Sequence, residues 1–249
     1  MFRGAGTLLN VTTVLVGSGI GVLLGNRLPQ RTREVVTDGL GLVTLLVAAL
    51  SAVSVRDRSL AHAVGSSAPT LIVLGSVLVG GLVGSLLRLE DRLEQLGDLA
   101  QRRLGGRQSG PDRERFIEGF VLASLVFCVG PLTILGSLSD GLGHGIDQLA
   151  LKSTLDGFAA VAFAASLGWG VALSAVTVLV VQGGLTLLGW GLGDVLPAAQ
   201  IAALTATGGV LLIGVALRLL RVRQIPVADL LPALVVAPVL TALVSAWRR

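Results

Sequence analysis

The charges of this chain sit in short islands, and the runs between them stay apolar for close to twenty residues. A helix of about 20 residues crosses the roughly 30 Å hydrocarbon core of a bilayer. In lipid, only continuous helices and closed barrels satisfy every backbone N–H and C=O. A barrel strand alternates over about ten residues, whereas these runs are longer and apolar on every face. The expected fold is therefore all-α, a polytopic transmembrane helical bundle of six to eight spans. Composition agrees, with 53% of the 249 residues hydrophobic and 14% charged, against roughly 25% charged in soluble domains.

The chain holds 34 glycines. GSGIG at 17–21 and GGLVG at 80–84 lack the G-x-G-x-x-G order of a dinucleotide loop between strand and helix. No cofactor is expected, and the glycines read as close-packing points between helices. The single Cys128 excludes an intrachain disulfide. Arg3 precedes a long glycine-containing apolar segment without a small-residue cleavage site, so the first segment is expected to stay as a helix. The formal charge of +4 and the pI near 10.8 come mostly from loop arginines. These read as topology signals and lipid headgroup contacts, with no nucleic-acid partner expected.

Spans are expected at Gly6 to Gly25, Leu40 to Val55, Thr70 to Leu87, Phe116 to Leu138, Ile201 to Leu220 and Leu230 to Trp247. The fourth contains Gly130-Pro131; an internal proline removes a hydrogen bond and clashes with the preceding turn, so this span is kinked or split. Ser153 to Leu192 is forty residues long and interrupted by Gly168-Trp169-Gly170. It reads as a short, re-entrant piece followed by a longer helix, or as a tight hairpin. Residues 88–115 form the longest hydrophilic stretch, with Leu89, Leu93, Leu96 and Ala100 at helical spacing. The chain thus divides into N-terminal transmembrane helices over 1–87, a cytoplasmic amphipathic and charged linker over 88–115, and C-terminal transmembrane helices over 116–249. Thirteen of the eighteen arginines fall in 26–37, 88–115 and 218–229, which assigns those segments to the cytoplasm. Eight crossings then put both termini outside.

VLVGSGIGVLLG from Val14 aligns without gaps to VLVGGLVGSLLR from Val77, at an offset of 63 residues. GGVLLIGVALRLLR from Gly208 is a weaker echo. Internal repeats of this kind are common in transporters and meet at midplane binding sites. The competing reading is one small-residue stripe used in several helices for packing.

Ionisable and amide groups at depth are costly in lipid and therefore functional candidates by default. Lys152 and Asp156 stand four positions apart and face each other across one helical turn, as an ion-binding or proton-exchanging pair or as an ordinary helix-start pair. Asn10 and Gln182 are amides inside apolar runs, suited to a helix contact or to a polar solute. Around the break, Gly130, Pro131, Thr133 and Ser137 mark a candidate substrate or ion path, because broken helices expose backbone groups only where protein or water meets them. Ser166 completes the candidate set. His62 and His144 carry no metal signal, and no metal site is expected. There is no H-E-x-x-H, Walker sequence or nucleophile elbow, and Ser166 with Asp156 lacks a matching base. No enzymatic activity is expected.

The residues GTLLN at 6–10, FCVGPLTILGSLSDG at 127–141, KSTLDG at 152–157, Gly168, Val181-Gln182-Gly183, the glycines at 208–209 and LPAL at 231–234 resemble the bacterial membrane family known as domain of unknown function 554 (DUF554). They cover nearly the whole chain in order; Trp169 is a local departure. The resemblance implies a multi-pass protein of the bacterial cytoplasmic (inner) membrane, sometimes described as a transporter, and supplies no substrate or catalytic residue. Combined with the buried polar residues, it gives the expectation of a membrane transporter of a small polar solute or ion, cation- or proton-coupled. The alternatives are an ion channel and a non-transporting scaffold or stress accessory protein. Expected partners are the lipid bilayer, the solute or ion, and a second copy of the chain in a homo-oligomer.

Overall fold

The computed structural model describes residues 2–25, 29–93, 95, 99, 111–128, 131–192 and 197–248. Its helices are α1 (Ala5–Gly25), α2 (Gln30–Ala52), α3 (Arg58–Val64), α4 (Ala68–Leu87), α5 (Pro111–Cys128), α6 (Pro131–Leu142), α7 (Asp147–Leu167), α8 (Gly170–Leu192), α9 (Ala198–Leu219) and α10 (Ala233–Trp247). Short 3-10 turns at Val53–Arg56 and Val227–Leu230 precede α3 and α10. Among the described residues, seven helices are long and apolar enough to cross a membrane, and the count is eight when the α5–α6 pair, bent by 74°, is taken as one span. The architecture is the all-α polytopic bundle with one broken helix that the charge spacing demands.

Three boundaries differ from expectation. α2 begins at Gln30, ahead of the apolar run, because Gln, Arg and Glu sustain a helix beyond the bilayer. α6 continues to Leu142 and takes Ser139 and Asp140 out of the expected loop. α7 is a full span from Asp147 to Leu167, which replaces the short or re-entrant piece and leaves the tight hairpin with α8. Its charges do not interrupt it, because they are buried against protein. Leu89 and Leu93 are helical, while Leu96 and Ala100 of the same stripe lie outside the described residues.

The helices form two compact units that interleave along the chain, Met1–Leu42 with Arg92–Gly193 and Val43–Asp91 with Asp194–Arg249. In the first unit α1 and α7 run parallel: Gly17 faces Gly157, Gly21 faces Val161 and Gly25 faces Ala165. A methyl group at any of the three glycines would collide with a backbone oxygen of α7. After the turn at Gly168-Trp169, α8 returns antiparallel to α1, and Thr7 meets Thr186 with their hydroxyls 3.2 Å apart. α5 lies along the first half of α8, with Phe116 against Gly170 and Ser124 bonded to Thr177 at 3.0 Å. α6 reaches the opposite end of α8, where Gly141 packs on Thr186 and Leu138 on Gly189. The broken pair therefore meets α8 near both of its ends.

In the second unit, Ala199, Ala202 and Ala203 of α9 pack with Leu60, Val64, Ile72 and Ala237. Gly209 lies against the backbone of α2 at Ala48 and Ala52. The buried hydroxyls of Ser76, Thr207 and Thr241 each donate to the carbonyl one turn back, which satisfies them within their own helices. Glu90 pairs with Arg218 and accepts the Ala228 N–H at 2.8 Å, fixing the start of the 88–115 segment to the end of α9.

The glycine pattern shared by α1 and α4 now has a physical explanation. On α4, Gly80 faces Ala233 and Gly84 faces Asp229, so the partner numbers fall as the glycine numbers rise and α10 is antiparallel. On α1 the partner is parallel. A repeat that carried its partner along would keep that direction, so the common stripe is a common packing device. These glycines are occupied inside the units.

Candidate functional site

Lys152 and Asp156 lie one turn apart on α7, each only 7% exposed. Asp156 is nine residues into the helix, about 14 Å along its axis, which rules out a helix-start pair. Its Oδ2 accepts from Lys152 Nζ at 2.5 Å and from Asn10 Nδ2 at 2.9 Å. The attraction between the two charges offsets part of a large desolvation cost, and the amide supplies a further donor. An ionised carboxylate only accepts, so the Asn10 amide must present its nitrogen to Asp156 and turn Oδ1 away. That oxygen is buried with no partner among the described residues.

Gln182 on α8 is fully buried, and neither its Nε2 nor its Oε1 has a hydrogen-bond partner among the described residues. The antiparallel register that joins Thr7 to Thr186 places Gln182, one turn earlier on α8, level with Asn10, one turn later on α1. Asn10, the Lys152–Asp156 pair and Gln182 thus reach one level of the first unit from three helices. Asp140 accepts the N–H groups of Gly4 and Gly6 at 3.0 and 3.1 Å, and Ser137, one turn earlier on α6, is buried with its hydroxyl unpaired among the described residues.

The unpaired atoms are concentrated in the first unit. Of six buried side-chain polar atoms without a partner among the described residues, four belong to Asn10, Ser137 and Gln182. Each such atom costs about 1–3 kcal/mol, so four together call for a reason. The surroundings are otherwise well satisfied. Asp140 serves the positive end of the α1 dipole, and Thr133 donates to the Phe127 carbonyl at 3.1 Å, which the helix break would leave unpaired.

Other sequence candidates lie elsewhere. Pro131 opens α6, and Gly130 lies outside the described residues. Ser166 is ten residues beyond Asp156, half-buried near the far end of α7, and does not join the level. His62 and His144 are exposed, and no metal-binding cluster occurs among the described residues. Sequence reasoning missed Thr7 and Thr186, whose pairing sets the register, because a threonine in an apolar helix carries no signal of its own. Nor does the sequence show that Asp140 caps the remote start of α1.

The comparisons agree with the fold. Residues 5–242 match the family described as "Protein of unknown function (DUF554)". The chain is 32% identical over 245 residues to "Uncharacterized protein YqgA" of Escherichia coli (strain K12), covering 97% of this chain and 98% of that protein. It is 25% identical over 242 residues to "Uncharacterized membrane protein YdfK" of Bacillus subtilis (strain 168), covering 97% of each. No solved structure matches. With its spans and these relatives, this is a multi-pass protein of the bacterial cytoplasmic (inner) membrane, and the chain belongs to the DUF554 family.

Proposed function

We propose that the first unit carries a small polar solute across the membrane through the level formed by Asn10, Lys152, Asp156 and Gln182, with Ser137 of the broken pair as a further contact and the ion pair coupling movement to a proton or cation. The observation that carries this reading is the clustering of unpaired polar atoms beside a buried ion pair and a broken helix. A scaffold has no use for these groups, since apolar residues of the same shape would pack better. In a carrier they are the contacts a solute makes as it passes. Lys152 and Asn10 converge on one oxygen of Asp156, so protonation of the carboxylate, or a cation bound to it, weakens both contacts and frees both donors. That is a local switch coupled to the helices that bear them.

The test is uptake into sealed vesicles containing the purified protein, with imposed pH and sodium gradients. The reading expects gradient-dependent flux whose pH or sodium dependence changes in Asp156→Asn. Unchanged coupled flux in that variant removes Asp156 from the mechanism. Ohmic conduction without a coupling gradient in a planar bilayer would favour a channel.

A further inference from the structure

Resting on the transport reading, we infer that the solute is small and uncharged and both donates and accepts hydrogen bonds, the chemistry of a primary carboxamide, urea or a short polyol. The first ground is charge. At the level of the unpaired atoms the ionised side chains are Lys152 and Asp156, which cancel and hold each other at 2.5 Å. With the pair closed, a charged solute entering this low-dielectric interior would find no net countercharge, and an uncompensated buried charge is far costlier than a buried dipole. Transfer of a proton within the pair leaves the sum at zero.

The second ground is the inventory of unpaired atoms. Asn10 Oδ1 and Gln182 Oε1 accept, Gln182 Nε2 donates, and Ser137 Oγ does either. The Asn10 assignment is forced, because its nitrogen is committed to Asp156. A solute that satisfies this set must offer at least two donors and one acceptor on a compact frame. A carboxamide or urea does so with one NH2 and one carbonyl, and a short polyol does so with adjacent hydroxyls. A monatomic cation would engage only the oxygens and leave Gln182 Nε2 unpaired.

The experiment uses the full chain in sealed liposomes and follows light scattering after a step gradient of urea, acetamide or glycerol. Parallel vesicles report sodium, potassium and chloride entry by trapped indicators. The inference expects entry of at least one neutral probe well above protein-free vesicles, with ion entry at the protein-free level when no neutral probe is present, since a coupling cation moves only with its solute. Gln182→Met should lower that entry at least about fivefold, the weight of one lost hydrogen bond. Ser137→Ala, the smaller change, should lower it in the same direction. Ion entry without neutral entry overturns the uncharged class and leaves the transport reading standing. Neutral entry indifferent to both substitutions overturns the assignment to this level. Entry of no probe of either kind overturns the inference together with the transport reading.

Discussion

Gln182→Met separates a binding residue from a structural one, because the two roles predict opposite changes in stability. A structural glutamine in a membrane interior holds neighbouring helices by hydrogen bonds worth about 0.6–2 kcal/mol, and losing it destabilises the fold. Gln182 is fully buried with both amide atoms unpaired among the described residues. Each unpaired buried atom costs about 1–3 kcal/mol, and methionine fills nearly the same volume with a flexible apolar chain. Replacement should therefore stabilise the protein by about 1–3 kcal/mol, allowing for imperfect packing. At about 2–4 °C per kcal/mol for a chain near this size, thermal unfolding in detergent should rise by several degrees while flux falls. A loss of more than about 1 kcal/mol, with flux falling only in proportion to folded protein, would mean that the amide is a structural contact.

Lys152→Met alone leaves Asp156 buried beside one amide donor and should cost about 3–5 kcal/mol, whereas Lys152→Met with Asp156→Leu should return most of it while abolishing coupled flux; denaturant titration of the three proteins measures the difference. Gly17→Ala should destabilise by about 1–3 kcal/mol because its methyl meets the backbone of α7. The open Gly19→Ala should instead stabilise by up to about 1 kcal/mol, and thermal unfolding compares the two. Asp140→Ala removes the acceptor of the Gly4 and Gly6 N–H groups and should cost about 1.5–3 kcal/mol, with faster amide exchange at the start of α1 as its signature.

The spans were legible because their signal is local: a bilayer requires a set length of apolar helix, and charges mark its ends. α1 and α4 match their expected runs closely, and Gly130-Pro131 announced the break between α5 and α6. α7 was obscured because Lys152 and Asp156 lower its apparent hydropathy; their burial against α1 depends on Asn10, more than a hundred residues away. The same distance hid the site. Asn10, Asp156 and Gln182 each stood out as polar groups in apolar surroundings, but their common level follows from the parallel packing of α1 on α7 and the return of α8. Ser166 carried an equal local signal and lies ten residues further along α7. The shared glycine stripe could not distinguish a repeat from a packing device until the directions of its partners were known.

The account stands on one claim, that the polar level of the first unit faces a space a solute can enter. Thiol labelling of Gln182→Cys in a Cys128→Ala background, in sealed vesicles with the small neutral reagent hydroxyethyl methanethiosulfonate, tests it most directly. The reacting species is the thiolate, which needs water to form. The control is Leu179→Cys, one turn earlier on α8 and facing outward from the protein at 45% exposure. The account predicts rapid labelling at position 182 and silence at position 179. Equal silence at both positions, in protein that remains folded, would contradict it.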